Sequence, residues 1–447
     1  MKFLARLIPR IYLSRFALLL LLGLVVLFCL GFAYPIFLMI GKLAFLIFLL
    51  ASVIDLSLLY SKKNPVEGKR YLENKLSNGD DNPVIVKVTG KFGFKTNLEI
   101  LDELPIQLQK RDFTIKKSCN AKFREDFVYE VRPTERGEYE FGDIQVLIGT
   151  QLNLFQRKLT IPAHEKVKVY PSFIQYRKYA FLAISNRLEE AGVKKVRQIG
   201  SNKEYEQIRE YVKGDDFRTI NWKATARKST LMVNQYQEEK SQNVYCLVDK
   251  GRLMHMPFEG MSLMDYSINA ALVMRGIAMG RGDKAGLISF SDKIGSFIIA
   301  KSKPSQMQAI SEALYDQDVR LRETDFLRLY KNIKLRIKKR SLLILFTNFD
   351  SLVNLNRQIH SLKAIARDHL LVTIIFDNSE LNDLAEQKAF SLTGAYQQTI
   401  AEKFQFDKFV IIKELQKLGI STILTEPQKL TINTINRYIE LKARGTL

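Results

Sequence analysis

Cysteine is scarce in this chain of 447 residues: Cys29, Cys119 and Cys246 are odd in number and far apart. They form neither a disulfide framework nor a zinc-binding spacing, which fits a reducing compartment. Histidine is equally thin, and His164, His255, His360 and His369 fall at no metal-ligand spacing. The 23 glycines include no Gly-Lys-Ser/Thr phosphate loop and no dinucleotide fingerprint, and the Gly280/Gly282 pair fits neither. Acid is in short supply: 47 Asp and Glu against 68 Lys and Arg leave a formal charge of +21. In a soluble protein that excess points to nucleic acid; beside a membrane segment it suits an anionic lipid surface or an acidic partner. Apolar residues are not lacking. At 47%, with 26% charged, they exclude disorder, and the length asks for two or three domains.

The apolar excess is concentrated at the start. Phe16 to Ala33 is unbroken, FALLLLLGLVVLFCLGFA, and of the length a bilayer core demands. Tyr34-Pro35 interrupts it, and a second run extends from Ile36 to about Tyr60, with Lys42 and Asp55 placed toward its ends to reach the interface. Lys2, Arg6, Arg10 and Arg15 precede the first span; Lys62, Lys63, Lys69 and Arg70 follow the second. Basic flanks on both outer ends place both termini, and everything after the hairpin, in the cytoplasm. A second span that begins at once argues against a cleaved signal peptide.

From about Asn82 to Phe173 the pattern turns to short alternating runs: Val84–Val88, Phe127–Val131, Ile144–Ile148 and Val167–Tyr170. Turn residues at Asn78-Gly79, Thr89-Gly90, Arg136-Gly137 and Phe141-Gly142 bound them, which predicts a small β-sandwich with no catalytic grouping.

The densest polar window follows, Glu204 to Lys228, EYEQIREYVKGDDFRTINWKATARK. Arg209 to Lys213 suits a short helix or an exposed strand, and Gly214-Asp215-Asp216 reads as a turn. After Gln242 the grammar becomes strand–helix–strand. Val244–Val248 ending at Asp249, Leu342–Phe346 ending at Thr347-Asn348, and Leu370–Phe376 ending at Asp377 are continuous apolar strands of a parallel sheet. Ala285–Phe290 and Gly295–Ala300 form a strand pair, and helical patterns fill the gaps. The expectation is an open α/β sheet, helices on both faces, with ligands at the carboxyl ends of its strands.

Arg209-Glu210-Tyr211, Lys213-Gly214-Asp215-Asp216, Arg218, Ile220-Asn221-Trp222-Lys223 and Ala226-Arg227 together resemble the signature of the domain of unknown function 58 family. Asp102-Glu103-Leu104-Pro105, Arg132-Pro133 and Tyr170-Pro171 resemble the domain that precedes it there. Thr150–Phe155 departs from an Asp-Pro-Leu-Gly-Leu-Phe pattern, a loss expected to alter only a turn. The resemblance implies a bacterial inner-membrane protein with cytoplasmic soluble domains. It also implies a von Willebrand A-like (Rossmann-type) domain behind a β-sandwich, and a MoxR-type AAA+ ATPase as partner. The expected divisions are a transmembrane hairpin over 1–64, a β-sandwich-like domain over 65–175, a signature connector over 176–240 and the A-like domain over 241–447.

In A-type domains the strand ends carry a metal-ion-dependent adhesion site: an Asp followed by two serines, a distant Thr and a late Asp. Here Asp249 is present, Gly251 and Leu253 replace the serines, Thr324 matches the threonine, and Asn348 stands for the late Asp with Asp350 nearby. Magnesium demands octahedral oxygen ligation, so a metal-free docking platform is expected and no cofactor. The leading expectation is a non-enzymatic scaffold that binds the ATPase, other membrane-associated proteins and anionic lipid headgroups. Arg209, Asp215, Asp216 and Arg218 would form an ion-paired clamp, and Trp222 a packed anchor. A rival is a metal-dependent hydrolase using Glu206, Asp215 and Asp216, disfavoured because Arg209, Arg218 and Lys223 crowd those carboxylates and lower their pKa values. Nucleic-acid binding rests on charge alone. The basic run Lys331, Lys334, Arg336, Lys338, Lys339 and Arg340 reads as a solvated face, and Arg281-Gly282-Asp283 as the end of a helix rather than an adhesion tripeptide.

Overall fold

Two apolar helices head the chain and a parallel sheet closes it, in a computed structural model that describes residues 11–61, 65–110, 113–184, 205–212, 215, 217, 220–236, 241–303, 305–387 and 391–445. Gly214 of the signature turn and Asp216 and Arg218 of the expected clamp lie outside these residues, as do the flanking Lys2, Arg6, Arg10, Lys62 and Lys63. The chain divides into two compact units, Met1–Tyr170 and Pro171–Leu447.

In the first unit, β1 (Ile11–Leu13) leads into α1 (Arg15–Ala33) and α2 (Pro35–Tyr60). Ser14 caps α1 by accepting from the Ala17 N–H at 3.1 Å, and Pro35 opens α2, where its missing N–H is no loss. With lengths of 19 and 26 residues and mean hydropathies of 2.9 and 2.5, both helices are long and apolar enough to cross a membrane. Gly31 and Gly41 let them approach closely, facing Leu38 and Phe28.

Ten strands follow: β2 (Val66–Tyr71), β3 (Lys75–Ser77), β4 (Asn82–Lys91), β5 (Thr96–Asp102), β6 (Thr114–Cys119), β7 (Lys122–Val131), β8 (Gly137–Phe141), β9 (Ile144–Gly149), β10 (Phe155–Ile161) and β11 (Glu165–Tyr170). They pair as a five-stranded sheet β1-β10-β9-β5-β6 and two three-stranded sheets, β2-β4-β7 and β3-β11-β8. Alternation buries one face of each: Val84, Val86 and Val88 of β4 meet Leu98, Ile100, Val146 and Ile148 in one core. All four expected strands are present.

Two sequence readings change here. Arg70 is not a flanking membrane charge; it is 4% exposed, bonds Asp102 at 3.0 Å through Nε, and donates to the carbonyls of Ala163 and Gly142. Asp55 does not reach interfacial water. Its side chain is fully buried, and it accepts from the Thr150 hydroxyl and from the N–H groups of Leu154 and Phe155 at 3.1 and 2.8 Å. The Thr150–Phe155 segment is therefore more than an altered turn: it receives the end of α2. Ser14 Oγ donates to the Asn153 carbonyl, and Arg157 donates to the Leu59 carbonyl at 2.9 Å.

In the second unit, α3 (Phe173–Ile184) packs on α5 (Leu263–Gly280), with Tyr176 seated where Gly276 has no side chain. Between them lie β12 (Tyr205–Glu210), α4 (Trp222–Lys228), β13 (Met232–Tyr236), β14 (Asn243–Asp249) and the small β15 (Pro257–Phe258) and β16 (Met261–Ser262). Then come β17 (Lys284–Phe290), β18 (Ile294–Lys301), α6 (Gln306–Tyr315), α7 (Phe326–Arg336), β19 (Leu342–Thr347), α8 (Leu352–Asp368) and β20 (Leu370–Phe376). The chain ends with α9 (Ser379–Glu386), α10 (Leu392–Lys417), β21 (Ser421–Thr425) and α11 (Leu430–Ala443).

Six strands form one sheet in the order β18-β17-β14-β19-β20-β21, with β17–β18 its antiparallel pair and the other neighbours parallel. The sheet is buried on both faces: α5 and α11 cover one, and α7, α8 and α10 the other. Gly282, with φ of +79°, ends α5 as expected, and Asp283 beside it is buried, bonded to Tyr438 and Lys442 at 2.5 and 3.1 Å. The basic run after Lys331 is exposed along α7 and beyond it, with Arg336 stacked over Phe297 at 4.6 Å.

Candidate functional site

Two places gather the chemistry. The first is the carboxyl edge of the central strands. Asp249, last residue of β14, is 3% exposed and fully engaged by its own chain. Its Oδ1 accepts from the Thr324 hydroxyl at 2.6 Å and the Gly251 N–H at 2.8 Å, and its Oδ2 from the Thr347 hydroxyl at 2.6 Å. Burial raises the pKa of this carboxyl, partly offset by those donors. Thr324 thus sits where the sequence placed it. Thr347, read from the sequence only as the end of its strand, proves to bond Asp249; a threonine closing a buried strand looks like any other.

The residues do not fit a divalent cation. A side chain at Gly251 would overlap the Thr324 hydroxyl, so the first serine of the adhesion pattern has no room here. Asn348 is not free to ligate either; its Oδ1 accepts from Lys408 of α10. The cleft bounded by Asp249, Arg252, Arg322, Thr324 and Asn348 holds about 40 Å³. Among the described residues no cluster of three or more His, Cys, Asp or Glu is arranged to hold a metal. Arg322 and Arg320 each pair with Asp292 at 3.2 Å; desolvation acts to raise the pKa of this carboxyl, but the Ser291 hydroxyl and then the two arginines together lower it.

The second place is the signature. Arg209 lies on strand β12, not on a helix, and β12 pairs with β13 in an antiparallel hairpin whose connection contains α4. Asn221 holds the connection together: its Oδ1 accepts from the Ala224 N–H at 3.0 Å to cap α4, and its Nδ2 donates to Asn234 at 2.8 Å. The described part of the clamp is Arg209–Asp215 at 2.6 Å, with Asp215 also accepting from the Val212 N–H at 2.9 Å. Arg209 first, then that backbone donor, lowers the Asp215 pKa, so this carboxylate is an ion-pair member and not a proton donor. Glu210, Lys223 and Arg227 face solvent, and Tyr211 stacks on Phe217 with ring centroids 6.1 Å apart.

Trp222 is not a packed anchor. It opens α4 and is 70% exposed, and Phe217 and Val212 are 74% and 61% exposed. That exposure of the first residue of a seven-residue helix is not visible in composition. The expectation of a packed anchor within the signature is corrected by that exposure.

A buried open α/β sheet, a strand-end carboxylate closed by its own hydroxyls and a capped β-hairpin define the class of the second unit. The family model described as "Protein of unknown function DUF58" matches residues 207–402 of the chain. The uncharacterized protein YeaD of Bacillus subtilis (strain 168) is 28% identical over 124 residues, which span 27% of this chain and 30% of YeaD. Among solved structures, proximal thread matrix protein 1 from the mussel byssus is 14% identical, with 45% of this chain and 47% of that one covered at a TM-score of 0.27. The CARDB domain of the PF1109 protein from Pyrococcus furiosus is 13% identical, covering 23% of this chain and 91% of its own at 0.16. Both TM-scores are too low to assign a shared fold.

Proposed function

We propose that this protein is a non-enzymatic scaffold of the bacterial inner membrane, anchored by α1 and α2, whose cytosolic von Willebrand A-like unit docks a protein partner, a MoxR-type AAA+ ATPase. The observation that carries the reading is the outward presentation of Trp222, Phe217 and Val212 on a hairpin stiffened by Asn221 and Arg209–Asp215. Large aromatics beside arginine are the side chains that dominate protein–protein binding energy, and an ordered hairpin presents them at low entropic cost. The strand-end carboxylate supports a docking rather than a catalytic role, since its oxygens are committed to Thr324, Thr347 and Gly251. An excess of +21 favours an acidic partner and anionic headgroups near the anchor.

A photo-crosslinking amino acid in place of Trp222, activated in native membranes, tests this. The expected adduct is an AAA+ ATPase; adducts confined to lipid or nucleic acid would overturn the reading.

A further inference from the structure

Beyond Asn348 the edge of the sheet opens into a cavity of about 330 Å³, between the ends of β19 and β20 and the α9–α10 pair. Met256, Phe258, Leu263, Phe376, Leu381 and Phe404 give it a mainly apolar wall. Its charged lining, among the described residues, is Asp350, Asp377 and Lys408, two carboxylates to one ammonium. We propose that this cavity binds a primary ammonium carried on an apolar, aromatic-sized tail, the ammonium meeting Asp377 and Asp350 and the tail lying among the phenylalanines.

The carboxylates are held in place but not neutralised. Asp377 Oδ2 accepts from Asn382 at 3.0 Å, and Asp350 Oδ1 accepts from Ser351 at 3.1 Å and from Asn354. Among the described residues the second oxygen of each accepts no hydrogen bond, and neither carboxylate forms an ion pair with Lys408, whose Nζ donates to Asn348 Oδ1. Two carboxylates against one ammonium leave one negative charge in excess, in a chain whose total is +21. Helix α9, which walls the cavity, adds Glu380, Asp383 and Glu386 and no base. Its first-turn N–H groups at Glu380 and Leu381 are taken by Asn378 Oδ1 at 3.0 and 3.3 Å, which spends what the helix start would offer an anion. An entering ammonium cancels the excess, a neutral guest leaves it, and a carboxylate adds to it. The volume lies within the range of small-molecule sites, roughly 300–1,000 Å³, which likewise set a few polar groups in an apolar wall. The cavity sits at the carboxyl ends of parallel strands, where open α/β sheets place their ligands. It shares no residue with the Trp222 surface, so its ligand stands or falls separately from the partner.

The test is calorimetric titration, at neutral pH, of the full chain in phosphatidylcholine nanodiscs, with empty nanodiscs subtracted. The probes are hydrocinnamyl amine, hydrocinnamyl alcohol and hydrocinnamate, which share one shape. The amine is expected to bind roughly tenfold more tightly than the alcohol, the scale of a hydrogen bond to a charged group, and the acid more weakly than either. The double variant Asp350→Asn, Asp377→Asn should level or reverse the preference for the amine, and Leu381→Trp should fill the cavity and weaken amine and alcohol alike. No binding of the amine to the parent chain, an alcohol or acid as tight as the amine, or a preference that survives the double variant would each overturn the proposal. Should the double variant fail to fold, Leu381→Trp decides: undiminished binding of the amine overturns it.

Discussion

Gly251 is the residue at which the strand-end site departs from a metal-binding pattern. The sequence showed that a serine was missing there but not what filled the space, because Thr324 arrives from a loop more than seventy positions away (324 against 251). The Thr324 hydroxyl occupies the volume a side chain would need, and it bonds Asp249 from there. Gly251→Ala is therefore expected to cost about 1–3 kcal/mol, as an overpacked interior does. In a Thr324→Ala background the same change should cost about 1 kcal/mol less, since the obstruction has gone. Denaturation of the four proteins of this cycle measures the coupling. Lys408 and Thr347 were not legible for the same reason: their chemistry comes from the partners that the fold brings, Asn348 and Asp249, and neither residue type is informative alone. Asp249, Thr324 and Arg209–Asp215 were legible, because spacing and opposite charge announce them.

The elements were read more completely than the side chains. Continuous apolar runs became β14, β19 and β20, and alternating ones became β4, β7, β9 and β11. The edge strand β21 was missed, since Ser421–Thr425 is short and only part-buried, lying past a long helix with no pattern of its own. The attachment of α2 to the β-rich unit was also missed. An aspartate near the end of an apolar span reads as an interfacial residue, and only the placement of Thr150–Phe155 shows that its carboxylate serves two backbone N–H groups. Asp55→Ala removes that acceptor. Amide exchange at Leu154 and Phe155 should then quicken by about tenfold or more, with β4 and β7 unchanged. Hydrogen exchange read by mass spectrometry checks this, and equal protection in the variant would show that the carboxylate does not hold the turn.

The whole molecule combines two apolar helices built into a β-rich unit with an α/β unit that bears the family region. The order of these parts was legible from hydropathy and strand grammar, whereas the outward turn of the signature was not. A tryptophan in a polar window looks like a plug until the short helix carrying it is placed. That reversal moves the proposed role of the signature from holding the chain together to presenting a surface. The most direct measurement of this claim is the affinity of a MoxR-type AAA+ ATPase for the nanodisc-held chain and for its Trp222→Ala variant. The loss expected on truncating such an anchor is about 2 kcal/mol, roughly thirtyfold in Kd, with folding unchanged. Equal affinity for parent and variant, or no affinity of the parent for the ATPase, would contradict it.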